Sequence, residues 1–100
     1  MSNKGFAPYD GREGKFMLDY YFTFRSMTAA QQAVMELKKS GLFASLLRAP
    51  RALSSMGCGY AVRVAFQNGS AAALVLRHAS VAFTKTFQAD KSGGWREVLL

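Results

Sequence analysis

The order of strand and helix patterns constrains this chain more than any other feature of its sequence. Apolar residues recur at helical spacing over residues 28–41 and 71–78, and each segment lies between stretches with β-strand character. The strand candidates are short aromatic or alternating runs at residues 18–24, 43–47, 60–66 and 81–87. The order βαββαβ predicts an α+β fold, a ferredoxin-like sandwich with a four-stranded antiparallel sheet and two helices on one face.

Local signals predict where the two helices begin and end. Thr28 and Gln31 have the spacing of a capping box, so we expect the first helix to begin there. Gly41 is expected to end this helix, because glycine readily adopts the left-handed conformation of a C-terminal cap. Residues 68–70 are expected to turn the chain and cap the second helix. Its buried face is predicted to consist of Ala71, Leu74 and Val75.

The chain length sets the domain organisation. One hundred residues form one hydrophobic core and leave no room for a second. Four glycines or prolines lie within residues 1–15, which we expect to be a flexible N-terminal arm. The ferredoxin-like domain is then expected at residues 16–89, followed by a C-terminal tail at residues 90–100.

The charge and cysteine content exclude several classes of protein. Lys and Arg number 13 against six Asp and Glu, and a net charge of +7 favours acidic partners. The basic residues are spread along the chain and form no polybasic tract. One cysteine excludes an intrachain disulfide, a CxxC redox pair and a cysteine-rich zinc site. We expect no signal peptide, no membrane segment and a cytoplasmic location, where thiols stay reduced.

The cysteine, Cys58, lies where a loop becomes a strand, between Gly57 and Gly59. Flanking glycines permit backbone angles closed to other residues and clear side chains from around the sulfur, which we expect to be accessible. Right-handed crossovers bring the 50–58 loop to the sheet edge at which the first strand ends and the fourth begins. Cys58 is therefore expected near residues 25–28, where an arginine and a helix N-terminus would stabilise a thiolate.

The residues around the cysteine resemble a known family. A helix ending Lys-Lys-Ser-Gly is followed by Pro-Arg, Leu-Ser-Ser, Cys-Gly and a strand arginine, which is similar to the small domains called putative Se/S carrier-like. The resemblance covers roughly residues 18–88. It implies that Cys58 holds a sulfur or selenium atom as a persulfide or selenopersulfide. It implies a carrier rather than a stand-alone enzyme, with sulfur- or selenium-donating and accepting proteins as partners.

Several residues are candidates to support such a thiol. Backbone N–H groups of Gly57 and Gly59 and the hydroxyls of Ser54 and Ser55 are expected to stabilise the thiolate. The candidates for holding an anion are Arg25, Arg51 and Arg63. We expect no cofactor and no metal site, because the single histidine and single cysteine do not make a ligand set.

Two alternatives to a carrier remain open from the sequence. The first is a nucleic-acid- or protein-binding module with a structural cysteine, since lone cysteines are often small buried hydrophobes. The net charge and the aromatic first strand favour it, although the full RNP1 signature is missing. The second is an interaction subunit in which the open edge of the second strand pairs with another copy to form a dimer.

Overall fold

The central layer of the molecule is a five-stranded antiparallel sheet. The computed structural model describes residues 19–54, 57–89 and 94–100. The spatial order of the strands is β2-β3-β1-β4-β5, and each neighbouring pair is antiparallel. In chain order the strands are β1 (Tyr20–Phe24), β2 (Ala44–Arg48), β3 (Tyr60–Val64), β4 (Thr86–Ala89) and β5 (Trp95–Val98).

Three helices accompany the sheet in the described residues: α1 (Met27–Lys39), α2 (Arg51–Ser54) and α3 (Gly69–His78). The predicted α+β class, the antiparallel sheet and the position of β3 between β1 and β2 are confirmed. The prediction of four strands and two helices is wrong. The additional strand β5 and helix α2 are four residues each, too short for a periodic pattern to reveal them.

The main core lies between the sheet and helices α1 and α3. Phe22, Phe24, Val62 and Val64 point from the sheet toward the helices and are almost fully buried. Small residues on the helices let them approach the sheet closely. The buried helical residues are Ala30, Ala33, Leu37, Ala72, Ala73 and Leu76.

The predicted inner face of α3 is wrong. Ala71 and Leu74 are exposed, and Val75 is only half-buried. The helix is apolar on most of its circumference, so its pattern does not select one face. Tertiary packing decides which face of α3 is buried. The backbone at Gly69 lies so close to the Tyr20 ring that a Cβ on Gly69 would be 2.4 Å from Cδ2 of Tyr20.

The helix ends agree only in part with the local signals. Ser26, not Thr28, is the N-cap of α1, and its Oγ accepts a hydrogen bond of 3.1 Å from the backbone N–H of Ala29. Asn68 precedes α3 without a side-chain capping bond. Gly41 ends α1 as predicted, with φ at +82° and the Leu42 N–H donating to the Leu37 carbonyl.

The fourth strand begins later than the alternating pattern predicts. Residues 81–85 approach β1 without strand geometry, and β4 starts at Thr86. This approach brings Lys85 to the end of β1 near Thr23, which bears on the site described below. None of the helices in the described residues has the length and apolar character needed to cross a membrane.

Candidate thiol site at the end of the sheet

A second, smaller apolar cluster lies on the sheet face opposite α1 and α3. Thr23 pairs with Ala61 across the β1–β3 ladder, so both side chains point away from the main core. Phe87 points the same way, because it pairs with Tyr21. These residues are buried, as are Leu53 from α2 and Cys58, and Leu53, Cys58, Ala61 and Phe87 all lie outside the main core cluster. Helix α2 therefore covers one end of this sheet face.

Cys58 lies in the wall of a cavity within this cluster. The cavity has a volume of about 260 Å³, and Cys58 is free and only 2% exposed. The expectation of an openly accessible sulfur is therefore wrong. The hydrophobic residues Leu53 and Phe87 line the same cavity and are themselves buried. The remaining lining residues are Thr23, Arg25, Thr84 and Lys85.

Within the described ranges 19–54, 57–89 and 94–100, the two charged residues that line the cavity are both cations. Arg25 directly follows β1 and makes no ion pair within the part of the chain that the structure describes. Lys85 directly precedes β4, and its Nζ lies 3.5 Å from Oε1 of Glu97. Both partners of this ion pair are about half exposed, so solvent weakens the pair and Lys85 remains charged beside the cavity. The cavity therefore favours an anionic occupant.

Hydrogen bonds fix the two strand ends that carry these cations. The Thr23 hydroxyl donates to the Lys85 carbonyl and accepts from the Lys85 N–H, each at 3.2 Å. The Thr23 N–H also donates to the Lys85 carbonyl at 2.9 Å, and the Thr84 N–H donates to the Thr23 carbonyl at 2.8 Å. Arg25, two residues after Thr23, and Lys85 are therefore held at the same end of the sheet.

The two glycines beside the cysteine have different roles. Gly57 has φ at +91°, a conformation that disfavours every other residue, and its N–H donates to the Ser54 carbonyl at 3.0 Å. Gly59 has no such angle, and a Cβ there would meet no atom within 4 Å. Its carbonyl accepts from the Ala49 N–H at 3.1 Å, which extends the β2–β3 ladder. Backbone freedom is thus required at Gly57 alone.

The other predicted residues do not gather around the sulfur. The Ser54 hydroxyl donates to the Arg51 carbonyl at 3.1 Å within α2. Ser55 lies outside the described residues. Arg51 is exposed and does not line the cavity. Arg63 lies further along β3, where its Nε is 3.5 Å from Oδ2 of Asp19.

Of the three predicted arginines, only Arg25 shares the cavity with Cys58, and sequence reasoning missed Lys85. A signal for Lys85 was present in the sequence. The pattern predicts that the fourth strand starts at the cysteine's edge, and Lys85 lies two residues from both Phe83 and Phe87, on the same face of that strand.

Burial affects the Asp19 carboxyl near the other end of β1. Desolvation raises the pKa of Asp19 above its ordinary value of 3.8, and the Coulombic attraction of Arg63 lowers it by a smaller amount. Because the pKa of Asp19 is raised overall, the partly exposed ion pair with Arg63 does not offset the effect of burial on the carboxyl group.

The aromatic residues of β1 are engaged in packing. Phe22 and Phe24 are buried in the main core. Tyr20 stacks on Phe66 with 5.7 Å between ring centroids, and Tyr21 contacts Trp95 edge-on at 4.9 Å. Because these rings already have partners, the strand offers little surface on which bases would stack.

Fold and site together define a small α+β domain with a single thiol in a cationic cavity at one end of its sheet. The chain belongs to the family described as "putative Se/S carrier protein-like", whose model matches residues 19–88. The matched segment runs from the residue before β1 into β4 and includes Cys58, while β5 lies beyond it. No curated protein and no solved structure matches the chain.

Proposed function

We propose that this protein carries sulfur or selenium as a persulfide or selenopersulfide on Cys58 and hands the atom to a partner enzyme. The observation that carries the proposal is the position of the only thiol in a cavity that two cations line. Membership of the Se/S carrier-like family supports it.

The chemistry needs one sulfur and no second thiol. The Cys58 thiolate attacks the transferable sulfur or selenium atom of a donor, and the bond between that atom and the rest of the donor breaks. The electron pair of the broken bond leaves with the donor. An acceptor nucleophile then attacks the outer atom, and Cys58 departs as a thiolate, so no external oxidant or reductant is consumed.

The cavity suits the loaded state of the carrier. Terminal sulfur or selenium on a cysteine is anionic when deprotonated, and the Arg25 and Lys85 charges stabilise such an anion. Leu53 and Phe87 exclude bulk solvent, which protects the cargo from adventitious oxidation and exchange. Delivery of the atom then takes place by docking to a larger acceptor protein. We also propose a cytoplasmic location, in which a reducing environment keeps Cys58 free.

Intact mass spectrometry tests the carrier function. Protein purified without reductant is incubated with a sulfane-sulfur or selenium donor and then with dithiothreitol. We expect wild-type protein to gain the mass of one sulfur or selenium atom, and dithiothreitol to remove it. Cys58→Ser is expected to gain nothing, and Lys38→Gln, on the exposed surface of α1, is expected to behave as wild type. Wild-type protein without any such mass gain would refute the function.

A further inference from the structure

The Cys58 cavity combines a nucleophile with an unusual charge distribution for a thiol site. Among the residues that the structure describes, the lining includes two cations and two threonines and no carboxylate. Glu97 contacts Lys85 from β5, with 3.5 Å between Nζ and Oε1, and is not among the described lining residues. The cavity is thus chemically complementary to a small anion that carries hydrogen-bond acceptors.

The size of the cavity restricts the occupant further. Its volume of about 260 Å³ compares with roughly 30 Å³ for a water molecule in the liquid. It is slightly smaller than the range of roughly 300 to 1,000 Å³ that is typical of sites for larger organic ligands. A small inorganic anion with a few waters fits in a volume of this size.

We infer that the Cys58 cavity binds a small anionic donor in which the transferable atom is bonded to an oxyanion group, as in thiosulfate or selenosulfate. This inference rests on the proposed carrier function and names the class of molecule that loads it. Arg25 and Lys85 hold the oxyanion, and the transferable atom faces the Cys58 sulfur.

The loading step balances without a further reactant. The Cys58 thiolate forms a bond to the sulfane sulfur or selenium, and the bond from that atom to the sulfonate sulfur breaks. Its electron pair leaves with sulfite as the second negative charge of that ion, and the terminal atom of the new persulfide keeps the negative charge that it carried in the donor. The two cations remain beside this charge before and after the transfer, and they also hold the leaving sulfite until it diffuses away.

Two alkylating reagents of similar size test the charge of the cavity. Iodoacetate is anionic and iodoacetamide is neutral, and both react with the same thiolate, so their rate ratio cancels the fraction of thiol that is ionised. We expect this ratio at Cys58 to exceed that of free cysteine by about tenfold at low salt, and to fall as the salt concentration rises.

Charge variants identify which residues produce the effect. Arg25→Gln and Lys85→Gln are each expected to lower the iodoacetate to iodoacetamide ratio by about threefold. Glu97→Gln should raise it, because Lys85 loses its ion-pair partner. Lys38→Gln is the matched control, since it removes one charge near the far end of α1, roughly 16 Å along the helix from its start. A ratio equal to that of free cysteine, or lowered equally by Lys38→Gln, overturns the inference.

A comparison of two sulfur donors distinguishes failure of the anion site from failure of the carrier function. Wild-type protein is incubated with thiosulfate or with a neutral organic trisulfide, and the mass gain is measured for each donor. Thiosulfate adds one sulfur atom, whereas attack on the central sulfur of the trisulfide displaces one alkyl thiolate and adds that sulfur together with the remaining alkylthio group. Loading from thiosulfate that slows in Arg25→Gln supports the inference. Loading from the trisulfide alone overturns the anion site while the carrier function stands. A thiol that reacts with neither donor and neither alkylating reagent overturns both.

Discussion

Alanine substitutions at the two glycines beside Cys58 should have opposite effects on stability. Gly57 has φ at +91°, and placing an L-residue in a left-handed conformation costs about 1–2 kcal/mol. Alanine also restricts the unfolded chain, which returns about 0.4–1 kcal/mol. The net loss for Gly57→Ala is therefore about 1 kcal/mol. Gly59→Ala meets no atom and no strained angle, and so it should gain about 0.5 kcal/mol.

Thermal unfolding followed by circular dichroism measures this difference. A change of 1 kcal/mol shifts the melting temperature of a domain this size by about 4–8 °C. The two variants, about 1.5 kcal/mol apart, should therefore melt about 6–12 °C apart. Equal melting temperatures would refute the assignment of the left-handed conformation to Gly57 alone.

The same variants report on access to the thiol. Strain at Gly57 favours local opening of the loop, and 1 kcal/mol corresponds to about a fivefold change in the opening equilibrium. We expect Gly57→Ala to be labelled by iodoacetamide about fivefold faster than wild type under native conditions. Gly41→Ala is the control, because Gly41 has φ at +82° with open space around it and ends α1. Equal acceleration in Gly41→Ala would show that the effect is global rather than local to the cysteine loop.

Three further predictions concern packing and ionisation. Leu53→Ala should destabilise the protein by about 2–5 kcal/mol in urea unfolding and expose Cys58 to labelling, whereas Leu46→Ala, at a partly exposed position, should cost less. Gly69→Ala should cost about 1–3 kcal/mol, because its Cβ would overlap the Tyr20 ring, although alanine is the better helix former. Because the pKa of Asp19 is raised on folding, the folded state binds that proton more tightly. Stability should therefore fall as the pH rises from below 3.8 through the raised pKa, and Asp19→Asn should remove this slope in pH-dependent melting.

Much of the architecture could be predicted from local patterns. The order of the strands and long helices, the cap at Gly41 and the place of β3 between β1 and β2 follow from periodicity, glycine conformation and crossover handedness. The family resemblance, which depends on the residues around Cys58, is also confirmed. Each of these depends on neighbours in sequence or on general topology, which explains why the sequence alone was sufficient.

The composition of the thiol site was decided by tertiary structure. Cys58 is buried because α2 and Phe87 cover it, and these come from segments 30 residues apart or more along the chain from each other. Lys85 joins Arg25 at the cavity because Thr23 binds the backbone before β4, while Arg63 is occupied by Asp19. An alternating sequence pattern predicts which face of its strand a side chain lies on. Burial and the choice of ionic partner depend on which distant strands pack across from it, and only the folded chain determines that.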